Sequence, residues 1–415
     1  MRPNASVSLP GSKSESNRIL MVGAYGGFSI EAESGNLSEA HDTVLLKTLL
    51  AQTSLRAERS GAWQSTEKVI IDCEDAGTVS RFLMTYLACK PGTWILTGTP
   101  RMCQRPMAPL IETLRQLGAD IKCMDAEGKL PVKIKGTHIH GGEVEIDASQ
   151  SSQFVSSLLL AAPTWENGLR LMLKDEAVSM PYVDMTMAIM RHFGAEVERH
   201  ADAIEVRPGT YQPRPFAVSP DWSAASYWYE MAALSDDCDL LLNGLKPDSL
   251  QGDAVVAELF QAFGVQSEFE PKGVRLTKTV CHPSTEPLAF DFSMTPDLFP
   301  AVFVTCVALH CPAVFHGVQT LSLKESDRVH SLVTELSKCY HFEYAINDNI
   351  IKLEKSLLLC NKNNNNGFVF NTYGDHRVAM ALAGLSLKLG MVNLDHPEVV
   401  SKSFPTFWNE MHHIL

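Results

Sequence analysis

Leu9-Pro10-Gly11-Ser12-Lys13-Ser14-Glu15-Ser16-Asn17-Arg18 reads as the end of a strand, a Pro-Gly turn and the opening of a helix. Ser12, Ser14 and Ser16 are residue types that accept hydrogen bonds from the free N–H groups of a first helical turn. Such a terminus carries a partial positive charge and unused donors, which favours an anion. Lys13 and Arg18 add two full charges, and the apolar run Ile19-Leu20-Met21-Val22 would bury a helix expected over residues 17–26. A phosphate suits this helix start. Taken alone, the stretch reads equally as an ordinary capped helix with solvated charges.

The same order recurs along the chain. After the first helix comes Gly27-Phe28-Ser29-Ile30-Glu31-Ala32, expected as a strand, and the turn at Gly35-Asn36. Gly77-Thr78 opens 79–89 before a strand at 93–97, and Ser151-Ser152 opens 153–162 before 169–173. Asp221-Trp222-Ser223 opens 224–234 before 240–242, Asp297 opens 298–309 before 313–316, and Asp375-His376 opens 377–389 before 391–394. Six copies, at intervals of roughly 60 to 80 residues, indicate internal duplication of a unit too long for a solenoid repeat. A second signature falls between them, in which a helix ends at Gly118, Gly194 or Gly264 and a strand follows. Glycine suits the left-handed position just past a helix end. A degraded copy at 336–342 has Tyr340 in place of the glycine.

Each repeat therefore holds two helices with strands between them. Six repeats divide into two domains of three, residues 13–219 and 220–415, with the boundary in the Pro-rich, unpatterned stretch 207–220. The opening segment 1–12, with a strand at 5–9, is assigned to the C-terminal domain, so the chain crosses between domains twice. The polar, low-complexity stretch 361–367 reads as a mobile loop.

Composition narrows the function class. The 415 residues allow two or three domains, each with its own core. A net charge of -13 argues against a general nucleic-acid binder, although a few Lys and Arg can still focus a local positive field. The ten Cys are scattered without a C-x-x-C pair, which points to free thiols in a reducing cytosol. No apolar segment follows Met1–Ala5, so no signal peptide is expected. The longest apolar region, 298–314, is interrupted by Pro300, His310 and Pro312, so no membrane span is expected.

Polar residues gather at the starts of the first helices: Lys13, Ser14 and Arg18; Gly77, Thr78 and Arg81; Ser151, Ser152 and Gln153; Asp221 and Ser223; Asp297; Asp375, His376 and Arg377. Two further sets, Arg101 to Arg105 and Lys324-Glu325-Ser326-Asp327-Arg328, lie in loops. Repeats packed in parallel would bring these helix starts to one face, around an interdomain cleft of the kind small molecules occupy. The expected ligand carries several negative charges, for which phosphate and carboxylate fit best. Asp297 taken singly reads as a helix cap, and Glu325 beside Lys324 as a surface ion pair. Beside bound anions, the two acids suit proton transfer.

Other motifs fall away. Gly11-Ser12-Lys13-Ser14 lacks the earlier glycine of a P-loop, and His138-Ile139-His140 has no nearby partner of ligand spacing, so no metal is expected. Cys306, His310 and Cys311 sit in an apolar helix, and no nucleophile elbow supports Ser-His-Asp hydrolysis.

In this order the motifs resemble the 5-enolpyruvylshikimate-3-phosphate synthase family. The stretches are Leu9 to Arg18, Asp75-Ala76-Gly77-Thr78 with Arg81, Pro100 to Pro106, Ser151-Ser152-Gln153-Phe154, Lys324 to Arg328, Tyr373 to Arg377 and Ser401-Lys402-Ser403-Phe404-Pro405. The likeness covers nearly the whole chain. It implies an α/β fold of two inside-out α/β barrel domains, each of three βαβαββ-type units, with the active site in the interdomain cleft. It implies transfer of the enolpyruvyl group from phosphoenolpyruvate to the 5-hydroxyl of shikimate 3-phosphate, releasing phosphate, in aromatic amino acid biosynthesis.

By position, the resemblance assigns Lys13, Gly77, Arg105, Gln153, Arg328, Arg377 and Lys402 to phosphoenolpyruvate. It assigns Lys13, Ser14, Arg18, Ser151, Ser152, Gln153, Ser179, Tyr182, Asp297 and Lys324 to shikimate 3-phosphate. Asp297 would accept the proton of the attacking hydroxyl, and Glu325 would manage the proton at the methylene carbon, assisted by Lys13. The likeness implies no metal or organic cofactor, no nucleic-acid or membrane partner, and a cytoplasmic monomer that closes on shikimate 3-phosphate. Because Gly77 leaves the phosphoenolpyruvate pocket unfilled, inhibition by glyphosate is expected. Three positions depart from the family pattern: Asp75 where Asn is usual, Thr320 where Asn often stands, and Ser322 in place of a common Arg. Two alternatives are weighed. A UDP-N-acetylglucosamine enolpyruvyl transferase would carry Cys where Pro100 stands. A silent phospho-ligand-binding homologue would have no use for intact Asp297 and Glu325.

Overall fold

Asn4–Val7 is a strand whose partner lies far along the chain: it runs parallel to Asp239–Asn243, with Ala5 opposite Leu240. Its side chains alternate, Val7 buried and Ser6 exposed, as a half-covered strand requires. The computed structural model describes residues 4–30, 34–60, 68–174, 178–279, 286–347, 349–359 and 367–414. The chain separates into two compact units, Lys13–Val218 and Met1–Ser12 with Ser219–Leu415. The outgoing and returning segments are tied by Ser12 N–H to the Ser219 carbonyl and Asp221 N–H to the Pro10 carbonyl. The two units have separate apolar cores.

In Lys13–Val218 the helices are α1 (Lys13–Gly26), α2 (His41–Ser60), α3 (Gly77–Ala88), α4 (Pro100–Gln104), α5 (Ala108–Gln116), α6 (Ser152–Ala161) and α7 (Met180–His192). One sheet has the order Lys68–Asp72, Thr93–Thr97, Val132–Lys135, Asp120–Cys123; its first pair is parallel and the others antiparallel. A second sheet repeats that pattern with Gly142–Asp147, Leu169–Lys174, Ala203–Val206 and Val197–Arg199. Strand, helix, strand, helix, then hairpin is thus the repeat. Trp94 and Leu96 alternate with half-buried neighbours, so the sheet faces the core on one side only. Helices α1, α3 and α6 pack on one another in the interior. Every residue of α3 but Thr78, and every residue of α6 but Gln153, is buried. Helices apolar all round belong inside, and here they form the centre of an inside-out barrel.

Ser219–Leu415 is built alike, with α8 (Trp222–Leu234), α9 (Val256–Leu259), α10 (Phe299–Ala308), α11 (Arg328–Leu336), α12 (His376–Gly384), α13 (Ser386–Leu389) and α14 (Phe407–Ile414). Its sheets are Asn4–Val7, Asp239–Asn243, Gly273–Lys278, Val265–Glu270, and Leu288–Asp291, Ala313–His316, Ile350–Leu358, Tyr340–Asn347. Helices α8, α10 and α12 are buried along their whole length and pack on one another.

Two repeats differ from the others. Among the described residues, the third sheet of each unit is a two-stranded pair: Ser34–Gly35 with Phe216–Ala217, and Phe368–Phe370 with Val392–Leu394. Residues 27–30 form no strand, and the rest of that expected strand, Glu31 and Ala32, lies outside the described residues, as does 361–366. The first helix starts at Lys13 rather than residue 17, because Gly11 is held in a bridge to Pro220 and nothing after it breaks the helix. Ser16 therefore lies inside α1, and its Oγ accepts from Ser38 N–H instead of capping. Gly118, Gly194 and Gly264 have φ of +98°, +90° and +79°, the left-handed exit that lets a strand leave each helix end. No helix among the described residues is long and apolar enough to cross a membrane.

Candidate active site

The polar residues of Lys13–Val218 gather where α1, α3 and α6 begin. Helix α6 is capped by Ser151, whose Oγ accepts from Gln153 N–H at 3.2 Å. The Gln153 amide is fixed at both ends: its Oε1 accepts from Arg81 and its Nε2 donates to Thr78 Oγ1 at 2.8 Å. Thr78 and Gln153 are the residues of α3 and α6 left unburied, so the two inner helices join through their polar starts. Helix α3 itself opens without a side-chain cap. A Cβ on its first residue, Gly77, would fall 2.7 Å from Nη1 of both Arg81 and Arg105. An uncapped helix start with two guanidinium groups at its first residue is a place for an anion.

Lys13 Nζ lies 3.0 Å from Asp42 Oδ2, and Asp42 is buried in the first turn of α2. Arg18 is buried deeper. Its Nε donates to Thr186 Oγ1, Nη1 to the Ser14 carbonyl, and Nη2 to Ser156 Oγ and the Tyr182 carbonyl. Four of the five guanidinium hydrogens are thus engaged, and burial pushes the group's pKa down to about 10. Arg18 ties α1 to α6 and α7, and one Nη1 hydrogen is left over from these four bonds. Ser179 precedes α7 at φ +56°, a left-handed conformation costly for a side chain with a Cβ. Ser14 and Tyr182 are half-buried, and Ser152 is buried.

In Ser219–Leu415 the centre is Asp297, in a single 3-10 turn, Pro296–Leu298, ahead of α10. Its side chain does not cap that turn, which corrects the helix-cap reading. Instead Oδ1 accepts from Arg328 Nη1 at 2.8 Å and Oδ2 from Arg377 Nη2 at 2.8 Å, with Lys324 Nζ 3.7 Å away. Burial opposes ionisation of Asp297, but Arg377, Lys324 and Arg328 outweigh it and hold the carboxyl well below the usual range. Glu325 pairs with Arg328 at 3.2 Å, so the reading of it as a surface pair with Lys324 is corrected too. Arg328, 1 % exposed, donates through Nε to Asp375 Oδ2 at 2.9 Å. Asp375 caps α12 through Arg377 N–H, so one carboxylate holds the Arg328 side chain and the backbone at Arg377. Lys402 is buried at the end of the 3-10 segment Pro397–Lys402.

Sequence reasoning missed three acids. Asp42 follows His41 at a helix start like the others, a signal that could have found it. Asp375 stood in a quoted motif without a role. Asp253, 1 % exposed, accepts from Ser223 Oγ. Burial and the charge of Asp297 push its carboxyl up to about 6. Ser322 lines a groove of about 500 Å3 with Asp327 and His330, and Thr320, two residues earlier, is buried. That groove holds none of the residues assigned to substrate. Grouped cations with acids among them can bind a multiply charged anion and move protons beside it.

A family model described as EPSP synthase (3-phosphoshikimate 1-carboxyvinyltransferase) matches residues 2–411. The 3-phosphoshikimate 1-carboxyvinyltransferase of Bacteroides fragilis is 40 % identical over 410 residues, 98 % of this chain and 94 % of that protein. The protein of the same name from Syntrophobacter fumaroxidans is 33 % identical over 417 residues, 97 % and 95 %. Among solved structures, an EPSP synthase from Acinetobacter baumannii superposes with a TM-score of 0.72 at 22 % identity, covering all of this chain and 96 % of that one. The enolpyruvyl transferase NikO of Streptomyces tendae superposes at 0.68 with 14 % identity, covering 100 % and 95 %. The structures speak for the fold, and the family model with the two relatives for membership: the chain belongs to the EPSP synthase (3-phosphoshikimate 1-carboxyvinyltransferase) family.

Proposed function

We propose that this chain transfers the enolpyruvyl group of phosphoenolpyruvate to the 5-hydroxyl of shikimate 3-phosphate and releases phosphate, as a monomer in the cytoplasm. The observation that carries the reading is Asp297 held by Arg328 and Arg377 with Lys324 close by: an acid–base group set among cations. The reaction needs that combination, because its tetrahedral intermediate bears a phosphate and a carboxylate while protons move on both sides of it.

From Lys13–Val218, Ser14, Arg18, Ser151, Ser152, Ser179 and Tyr182 hold shikimate 3-phosphate, while Gly77 and Arg105 serve phosphoenolpyruvate. Lys13 and Gln153 serve both. From Ser219–Leu415, Arg328, Arg377 and Lys402 hold phosphoenolpyruvate, and Asp297 and Lys324 serve shikimate 3-phosphate. The 5-hydroxyl oxygen attacks C2 of phosphoenolpyruvate and its proton passes to Asp297. Glu325, assisted by Lys13, delivers a proton to C3, giving the tetrahedral intermediate. Loss of a C3 proton with cleavage of the C2–O bond then frees phosphate and leaves the enol ether.

Phosphate release from purified protein given both substrates tests the reading, with Asp297→Ala as control. Release that requires both substrates and falls steeply in the control supports it. Release from neither, with thermal stabilisation by shikimate 3-phosphate, leaves a binding protein instead.

A further inference from the structure

Three cations and three carboxylates form one linked set in Ser219–Leu415. Arg328 pairs with Asp297, Glu325 and Asp375; Arg377 pairs with Asp297; Lys324 lies 3.7 Å from Asp297. The formal charges of these six side chains cancel. Under the proposed function two of these cations, Arg328 and Arg377, receive phosphoenolpyruvate, which carries both a phosphate and a carboxylate. A balanced cluster offers an incoming anion little net attraction, and a carboxylate at 2.8 Å already uses one N–H of each arginine. A ligand oxygen that binds either arginine competes with an internal carboxylate for it.

The geometry decides which one. Asp375 cannot withdraw: it is fully buried and accepts from Arg328 Nε, Ser326 Oγ and Arg377 N–H. Its place is structural, at the cap of α12. Glu325 is bonded to Arg328 at 3.2 Å. Asp297 gives one oxygen to each arginine, stands on a single 3-10 turn directly ahead of α10, and keeps a side chain 19 % exposed. It is the one carboxylate of the set that accepts from the side chains of both arginines, and it is not fully buried.

We infer that Asp297 is the internal counter-ion of the phosphoenolpyruvate arginines, and that the substrate arms this residue as a base by displacing its carboxylate from Arg328 and Arg377. The inference rests on the enolpyruvyl-transfer reading. While clamped, Asp297 is a poor proton acceptor, since the three cations stabilise its ionised form. When ligand oxygens take over the guanidinium hydrogens, that stabilisation weakens and a new negative charge stands nearby. Both changes raise proton affinity. The groups that act on Asp297 are Arg328 from α11, Arg377 from α12, Lys324 from the loop before α11, Tyr227 from α8 and Asp253 from the turn at Gly252–Val255. Of these only the cations favour its charged form. The proton of the attacking hydroxyl then moves to Asp297 as the new C–O bond forms. A base that works only after its counter-ions are occupied keeps that step from preceding substrate.

Equilibrium binding of phosphoenolpyruvate, without the second substrate, tests this on the whole protein. Asp297→Asn removes the charge and keeps the shape. Its affinity for phosphoenolpyruvate is expected to rise about tenfold while turnover falls, because a competitor has been removed along with the base. Inorganic phosphate is expected to raise the melting temperature of Asp297→Asn more than that of the unaltered protein. Glu325→Gln releases one contact to Arg328 and is expected to tighten binding by only about threefold, which keeps the idea testable if Asp297→Asn does not fold. Unchanged or weaker affinity in a folded Asp297→Asn, or in Glu325→Gln where the first variant fails, overturns the inference, since a residue acting only as base leaves ground-state affinity alone. Turnover of the unaltered protein with both substrates, measured on the same preparation, tests the underlying reading separately.

Discussion

Lys13 Nζ, at the start of α1, lies 3.0 Å from Asp42 Oδ2 in the first turn of α2, and the Asp42 side chain is almost wholly out of water. A long lysine is thus held at its tip by a short, buried acid. Asp42→Asn removes the charge that aims Lys13. A misaimed group in the reacting geometry costs about tenfold to a hundredfold in rate, so kcat falls by that much while the affinity for shikimate 3-phosphate changes less. Steady-state kinetics with each substrate varied checks this. An unchanged kcat sinks it.

Gly77→Ala places a methyl group 2.7 Å from Nη1 of Arg81 and of Arg105. Both obstacles are ends of flexible side chains, so the fold survives and the guanidinium groups move. The expected result is a KM for phosphoenolpyruvate raised about tenfold with the melting temperature nearly unchanged. A large loss of stability with an unaltered KM contradicts it. In the unaltered protein, glyphosate slows turnover at millimolar concentration, and an undiminished rate there removes the argument from the small residue at 77.

Arg18→Lys keeps the charge and loses the fork. Four hydrogen bonds to Thr186, Ser14, Ser156 and Tyr182 join α1 to α6 and α7, and an ammonium group cannot make them from one point. Leaving buried acceptors unsatisfied costs about 1–3 kcal/mol each. Urea unfolding is therefore expected to show a loss of about 3 kcal/mol or more. A shift below 1 kcal/mol, roughly the worth of one exposed pair, goes against the anchoring role.

Glu230 is buried in the middle of α8, and neither carboxyl oxygen has a hydrogen-bond partner among the described residues. Burial alone pushes its pKa well above the ordinary carboxyl range. The folded state therefore holds the proton to higher pH than the unfolded chain does. The stability this contributes is complete below about pH 4.3, the unfolded value, and is lost as pH rises toward the folded value, by up to about 1.4 kcal/mol per unit. Glu230→Met removes that dependence. Denaturation midpoints from pH 5 to 9 are expected to diverge, the variant becoming the more stable as pH rises. Parallel curves refute the assignment.

Much of this was legible in the chain because its signals are local. A glycine past a helix end, a Ser or Asp before one, and an apolar run behind it depend on neighbours a few residues apart, so the later inner-helix starts could be read to within a residue or two and the exits at Gly118, Gly194 and Gly264 directly, while the first helix was set four residues late. Two helices per repeat with strands between them followed from the same signals, whereas the βαβαββ order came from the family resemblance. The two reduced sheets were not legible, since a pair as short as Ser34–Gly35 and Phe216–Ala217 has no periodicity to detect. Nor could local pattern show that Asp297 is a bridge and not a cap. Its partners stand 31 and 80 residues away, and Arg18 reaches Thr186 across 168. Sequence by itself determined which polar groups open the inner helices. Only the packing of α10, α11 and α12 decided which acid faces which cation, because an ion pair depends on distance in space, and that distance is set by the buried faces of helices that are remote in sequence.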